Sequence, residues 1–330
     1  MSMAFKTSVL ATAVTGMVMC AAGSQDPARM SGSISIDGSS TVEPITKAVA
    51  EEFRELAPGI RVTVAVSGTG GGFKRFALGE TDISDASRPI KKEEMDAAKA
   101  NGIEFIELPV AYDGLSIVVH PSNDWVDYLT VDEIKKIFLA SEAAKNWSDV
   151  RAGWPNQRIK IFAPGTDSGT FDYFKEVMAG DIRADMSVSE DDNVLVTGVA
   201  GDANSLGFFG FAYYIENQDK LKVVPIVNPK LSTPVTPSHD SIESGEYAPF
   251  SRPLFIYVNK KSATRPEVRE FVEFYLAEAA DLVDEVGYVA LPEDIYEAAE
   301  SNFKANRTGT KFLTADGKKA EGSLRDIYLK

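Results

Sequence analysis

The alternation of apolar and polar positions predicts a succession of short strands and amphipathic helices. Ile34-Ser35-Ile36 has the period of a strand, and Ile45, Val49, Phe53 and Leu56 then recur at helical spacing. Ser and Thr before that run, with Pro44 in its first turn, mark a helix start, and Pro58-Gly59 marks its end. Ile60–Val66 reads as a strand, and the stretch Ser67-Gly68-Thr69-Gly70-Gly71-Gly72 leads into a helix carrying Phe73, Phe76 and Leu78. A short strand opens at Ile83 and runs out in Asp85-Ala86-Ser87-Arg88-Pro89, followed by a helix over 91–100 closed by Asn101-Gly102. Further strands are predicted at 105–110, 115–119, 159–162, 223–227 and 254–258. Helices are predicted at 131–139, 170–178, 193–200, 212–217 and, most strongly, 266–286, where Val268, Phe271, Val272, Tyr275 and Leu276 share one face. The polar, glycine-containing stretch 309–322 reads as a loosely attached tail. Strands alternating with helices, without a repeat of fixed period, indicate an α/β fold.

Three loops of this pattern resemble one another. Gly38-Ser39-Ser40-Thr41, Ser67 to Gly72, and Thr166-Asp167-Ser168-Gly169-Thr170 each lie between a predicted strand and a predicted helix and combine hydroxyls with glycine. A helix start presents unpaired N–H groups and the positive end of the helix dipole, so it suits an anion. Glycine permits close backbone approach and hydroxyls supply adjustable donors. In an open α/β sheet such loops gather at the carboxyl ends of the strands, where ligands bind. Taken singly, each is also an ordinary N-cap or turn. Arg88, close to Asp85 at another strand end, adds a side chain able to grip an oxyanion with two parallel hydrogen bonds; its plain alternative is a salt bridge.

The N-terminus belongs to a different pattern. Lys6 precedes a short apolar run containing Val9, Leu10, Val14, Met17, Val18 and Met19, and Ala21-Ala22-Gly23 supplies small residues. This order predicts a secretory signal peptide over residues 1–23, hence a periplasmic or secreted protein. Cys20 raises lipid anchoring as the alternative to simple cleavage. No later segment has 18 consecutive apolar residues, the length of a spanning helix.

Charge and composition narrow the chemistry. The 330 residues suit about two domains, and 34 Lys+Arg against 49 Asp+Glu leave a net charge of −15, a poor field for gripping nucleic acid. That charge does not forbid a small anion, because salt screens distant charges over about 8–10 Å and local N–H groups decide affinity. A single Cys and 2 His argue against a disulfide framework or a histidine-rich metal centre, so neither metal nor cofactor is expected. The Gly-rich run before Lys74 lacks the Gly-Lys-Ser/Thr of a nucleotide-binding phosphate loop. Gly165-Thr166-Asp167-Ser168-Gly169 is one residue out of register for a serine-hydrolase elbow, and His120 and His239 are expected at the surface. Glu190-Asp191-Asp192 reads as a solvated face or helix cap.

The order and spacing of Gly38-Ser39-Ser40-Thr41 with Pro44, Thr69-Gly70-Gly71-Gly72, Asp85-Ala86-Ser87, Asp167-Ser168-Gly169-Thr170 and Ser251-Arg252-Pro253-Leu254-Phe255-Ile256-Tyr257-Val258 resemble the periplasmic phosphate-binding proteins of Pst-type phosphate ABC transporters. The similarity runs from about Ser31 to Pro292. It implies a two-lobed type II binding-protein fold, with residues 31–120 and 253–330 in one lobe, 121–252 in the other, and a ligand cleft between them. It implies a non-enzymatic monomer that captures inorganic phosphate and delivers it to a membrane permease. Its expected phosphate-binding residues are Ser39, Ser40, Thr41, Thr69, Gly70, Asp85, Ser87, Arg88, Ser168, Gly169 and Thr170. Asp85 is expected to accept the ligand's proton, which would admit hydrogen phosphate and reject sulfate. The family places an arginine four residues before the serine that Ser168 matches; Pro164 stands there, so Arg88 is inferred to supply the positive charge, with Arg252 at the hinge. The alternatives are an exported phosphatase or phosphoryl-transfer enzyme, or a binding protein for another oxyanion.

Overall fold

Each strand of the first hundred residues stops at a glycine- or hydroxyl-containing turn and hands over to a helix, as its periodicity predicts. In the computed structural model, which describes residues 26–166 and 168–330, β1 (Gly32–Gly38), α1 (Glu43–Leu56), β2 (Ile60–Val66), α2 (Gly68–Ala77), β3 (Ile83–Ala86) and α3 (Lys92–Ala100) follow in order. The expected leader at 1–23, with Cys20, lies outside the described residues. β1 pairs in parallel with β2 and β3, which brings the carboxyl ends of β1 and β3 side by side: Gly38 is the register partner of both Val66 and Asp85.

The two strands expected at 105–110 and 115–119 are one. β4 (Phe105–Val119) runs unbroken and every residue of it is buried. Asp113-Gly114 does not turn the chain because Asp113 is matched across the ladder by Arg252, whose guanidinium pairs with its carboxylate at 3.3 Å; an opposite-charge pair directly across strands holds the extension. The middle of the chain comprises α4 (Val131–Phe138), α5 (Trp147–Val150), β5 (Lys160–Pro164), α6 (Gly169–Met178), β6 (Ser187–Ser189), α7 (Asp192–Ala200), β7 (Ser205–Gly210) and α8 (Phe211–Glu216). β7 was not evident from the sequence pattern, although Leu206, Phe208 and Phe209 are fully buried in it. The single strand expected at 223–227 is interrupted by Pro225, which cannot donate to a ladder. It becomes β8 (Lys222–Val223), paired with β4, and β9 (Ile226–Val227), paired with β10 (Pro234–Val235).

α9 (His239–Glu243), β11 (Ser251–Asn259), α10 (Pro266–Glu285), α11 (Glu293–Lys304) and α12 (Leu324–Tyr328) complete the order. The main sheet runs β2-β1-β3-β11-β4-β7-β5-β6. β11 lies along β4 as far as Gly114, and from Leu115 onward β4 pairs with β7 instead. One long strand thus carries two sets of partners: one with α1 and α10 packed on it, where Phe53 meets Phe271 edge-on at 5.2 Å, and one with α6 and α7. This curled α/β sheet is the architecture the resemblance implied.

The stretch 309–322 is not a loose tail. Gly309 bridges to Ile106, Phe312 is buried edge-on against Phe255 at 5.0 Å, and the Lys311 N–H donates to Glu107 at 3.1 Å. Phe312 reaches the core, and with the backbone bonds on either side it holds down a stretch of polar composition. Among the described residues, no helix is long and apolar enough to cross a membrane.

Candidate functional site

The parallel register of β1, β2 and β3 sets the starts of α1 and α2 beside one another. Ser39 N–H donates to the Asp85 carbonyl at 3.0 Å, and Ser67 N–H to the Gly38 carbonyl at 3.2 Å, so the loops are pinned by backbone bonds. α2 lies hard against β1 because residue 72 is glycine: a Cβ there would come within 2.6 Å of Gly38 Cα. Among the described residues, no side chain caps the start of α1 or of α2. In the turn before α1, however, Ser39 Oγ accepts from the Thr41 N–H and the Ser39 carbonyl from the Glu43 N–H, each at 3.1 Å, so the start left without a side-chain partner is that of α2.

These two starts form one side of a cavity of ≈ 240 Å³. Ser39, Ser40 and Thr41 line it from the first loop, and Gly68, Thr69 and Gly70 from the second. Thr69 Oγ1 is 3.0 Å from Ser87 Oγ and accepts from the Ser87 N–H at 3.1 Å, which joins the end of β3 to the same wall. Arg88 follows Ser87 into the lining. Its guanidinium donates twice to Glu94, at 2.7 and 2.9 Å, and lies 5.6 Å from the Phe73 ring centre. Burial disfavours this charge, but the Glu94 carboxylate outweighs it and holds the Arg88 pKa above the ordinary value.

The facing wall is α6 together with the start of β11. Asp172, Tyr173 and Glu176, which helical spacing puts on one face, line the cavity with Arg252. The Arg252 guanidinium stacks 3.7 Å above the Tyr173 ring and donates to Asp113, to Glu176 at 2.9 Å and to Thr41 Oγ1 at 3.1 Å. Ser40 donates to Asp172 at 2.8 Å, and Thr41 Oγ1 to the Gly169 carbonyl at 3.3 Å, so the two walls touch. Gly169 is needed at that contact, since a Cβ would fall 2.7 Å from Thr41 Cα.

Seven of the expected residues therefore come together: Ser39, Ser40, Thr41, Thr69, Gly70, Ser87 and Arg88. Four do not line the cavity. Ser168 caps its own helix, accepting from the Thr170 N–H at 3.2 Å, and Gly169 and Thr170 belong to the closing contact at the cavity's edge. Asp85 lies furthest from its expected place. Successive side chains of a strand point to opposite faces; Ser84 faces α2, and Asp85 is buried on the other side with Thr46 of α1 and Tyr275 of α10. Neither of its carboxyl oxygens has a hydrogen bond of ordinary geometry among the described residues. Burial pushes its pKa up to about 7, against a lowering influence of Thr46, with Glu43 and Asp37 adding to the rise.

The residues missed are Gly68, Asp172, Tyr173, Glu176 and Arg252. Asp172 and Glu176 were legible as an i, i+4 pair behind the third loop, and Arg252 was assigned to the hinge although it opens a strand beside the cavity. His239 is exposed and His120 half-buried, and Asp191 caps α7 by accepting from the Asn193 N–H at 2.9 Å, the plain role expected of that acidic run.

Known proteins show the same organisation. Residues 23–279 match the family described as PBP superfamily domain. Protein SphX of Synechococcus elongatus is 50% identical over 89% of this chain and 87% of its own length. The phosphate-binding protein PstS of Staphylococcus saprophyticus is 40% identical over 84% of this chain and 86% of its own. The crystal structure of a possible phosphate binding protein from Planctomyces limnophilus superposes with a TM-score of 0.82 at 46% identity, covering 84% of this chain and 99% of that one. An ABC-type phosphate transport receptor from Vibrio cholerae superposes with a TM-score of 0.62 at 26% identity, over 78% of this chain and 100% of that one.

Proposed function

The chain belongs to the PBP superfamily and, within it, to the Pst-type phosphate-binding proteins, and from that premise we propose that it captures inorganic phosphate in the cavity between α1, α2 and α6 and delivers it to the permease of an ABC transporter. This is a family of substrate-binding proteins, not of enzymes. The observation that carries the reading is the convergence of the uncapped start of α2, the hydroxyl-rich turn before α1 and Arg252 on a cavity of small-anion size. Backbone N–H groups at the start of α2, the hydroxyls of Ser39, Ser40, Thr41, Thr69 and Ser87, and a guanidinium supply charge-assisted hydrogen bonds to phosphoryl oxygens.

Of the two arginines, Arg252 is the main cation in this reading. Arg88 is committed fork-to-fork to Glu94, whereas two of the Arg252 bonds go to a hydroxyl and to the exposed Glu176 carboxylate, both of which an anion can displace. Asp172 takes the part expected of Asp85. A carboxylate in the lining repels an oxyanion unless a proton lies between them, and near neutral pH hydrogen phosphate carries one while sulfate does not.

We propose further that residues 31–120 with 253–330 and residues 121–252 are the lobes that close on the ligand, and that the monomeric chain works outside the cytoplasm, its 1–23 leader removed or retained through a lipid on Cys20. Calorimetric titration of ligand-stripped protein tests the central reading. One phosphate per chain with negligible heat from sulfate is expected; absence of phosphate binding in folded protein overturns it.

A further inference from the structure

A second cavity adjoins the first. It is larger, ≈ 430 Å³, and shares two side chains with the smaller one, Arg88 and Glu176. Its other walls come from the start of α3, through Ile90, Lys91 and Lys92, and from the docked C-terminal stretch, through Phe312, Leu313 and Lys319. Three features bear on what it holds. The partition between the cavities contains two long side chains: Arg88, anchored from behind by Glu94, and Glu176, whose side chain is 58% exposed and is held by an ion pair to Arg252. The outer walls combine apolar surface with lysine stems and ammonium groups, although Lys92 is paired with Asp96. The C-terminal stretch is built into this position: Gly317 packs so closely on Lys92 that a Cβ would fall 2.4 Å from its Cδ.

We propose that the two cavities form one extended site for a phosphate monoester, with the phosphoryl group in the inner cavity and a compact, largely apolar organic group in the outer one. The proposal rests on the phosphate reading of the inner cavity. Glu176, exposed on the partition, is the side chain that swings aside to join the two cavities in this proposal. Apolar contact with Ile90 and Leu313 then favours the organic group, and the lysines fit against the face of an aromatic ring. Pyrophosphate fits less well, since the lysine charges are partly neutralised by Asp96 and Glu93 while the apolar surface would stay unused. Asp172 imposes a condition. Like inorganic phosphate, the ester must keep a proton on its phosphoryl group, so it binds as its monoanion and more tightly below a pH of about 6.

The test uses phenyl phosphate as probe, titrated at about pH 6 into wild type, Leu313→Trp, which fills the outer cavity, and Lys319→Glu, which reverses a charge at its rim. Phenyl phosphate should displace phosphate from wild type, and its affinity should fall at least about tenfold in Leu313→Trp and by less in Lys319→Glu. Phosphate affinity should stay within about twofold in both, which also certifies that they fold. Phosphate binding without displacement by phenyl phosphate overturns the extended site alone, as does equal phenyl phosphate affinity in all three proteins. Failure of phosphate itself to bind overturns both readings.

Discussion

The start of α6 and the starts of α1 and α2 carry similar residues, hydroxyls beside glycine, yet they do different work. Among the described residues, α2 has no side-chain cap and lines the cavity with its first turn, Gly68 to Gly70, while the turn before α1 lines it with Ser39, Ser40 and Thr41. Ser168 at α6 accepts from the Thr170 N–H much as Ser39 accepts from the Thr41 N–H, but it lies outside the cavity lining, and its glycine serves as the point where the walls meet. The α6 wall lines the cavity with side chains one turn further on, Asp172, Tyr173 and Glu176, and with Arg252 from the neighbouring strand. One wall thus offers donors that suit any oxyanion. The other offers a charge and carboxylates, which on the proposed reading sort oxyanions by charge and protonation.

Removing the charge from the second wall should have the largest effect. Arg252→Ala is expected to weaken phosphate binding by more than about 100-fold, since it deletes charge-assisted bonds worth roughly 1.5–3 kcal/mol each. It also leaves the buried Asp113 without its partner, so the melting temperature should fall. Arg252→Lys keeps the charge but not the planar fork, and should land between wild type and Arg252→Ala. Arg88→Ala, by contrast, should cost less than Arg252→Ala in the same titration. The reverse order would return the central role to Arg88.

Next in size is selectivity. Asp172→Asn should lower the ratio of phosphate to sulfate affinity by about tenfold or more, mainly through better sulfate binding. An unchanged ratio in competition titrations would show that the α6 wall does not read the proton.

Asp85→Asn should leave that ratio alone and act on stability instead. The folded Asp85 takes up its proton near pH 7 rather than near its ordinary value of 3.8. The folded chain thus holds a proton that the unfolded chain has already lost, and its stability falls as pH rises through this window. A shift of this size corresponds to roughly 4 kcal/mol. Melting temperatures of the wild type should therefore drop between about pH 5 and about pH 7.5, and Asp85→Asn should flatten that drop. Glu107 retains part of it, because burial pushes its pKa up to about 7 as well, against hydrogen bonds from Thr310, Tyr257 and Lys311. A pH slope identical in both proteins would mean that Asp85 is charged when folded.

The smallest change should come from the cap. Ser168→Ala is expected to destabilise the chain by about 1 kcal/mol in denaturant titration while phosphate affinity stays within about twofold. A large loss of affinity would move the α6 start back into the binding wall.

Much of this was legible in the sequence because the helix starts announce themselves locally. The hydroxyl and glycine residues at 38–41 and 67–72 mark the strand-to-helix turns that the structure brings together, and the periodicity around Phe53 and Phe271 marks the helices that pack there. What was not legible depends on facing and on partners far away in the chain. Asp85 sits in the right strand end, but whether its side chain faces the cavity or α10 is decided by one residue of register. Arg252 is 139 positions from Asp113, and only the ladder between β4 and β11 reveals that the pair keeps β4 extended and holds the guanidinium at the cavity. The stretch 309–322 reads as loose because one buried ring, Phe312, a backbone bridge at Gly309 and the Lys311 bond to Glu107 hold it down, and average composition reports none of these.

A crystal structure of the chain with phosphate bears most directly on where the anion sits. The phosphoryl oxygens should accept hydrogen bonds from the backbone N–H groups at the start of α2, from Thr69 and from the Arg252 guanidinium, with one protonated oxygen turned toward Asp172. Phosphate seated instead beside the Asp85 carboxylate, or on the start of α6 with Ser168 released from its cap and Arg252 out of reach, would contradict this assignment.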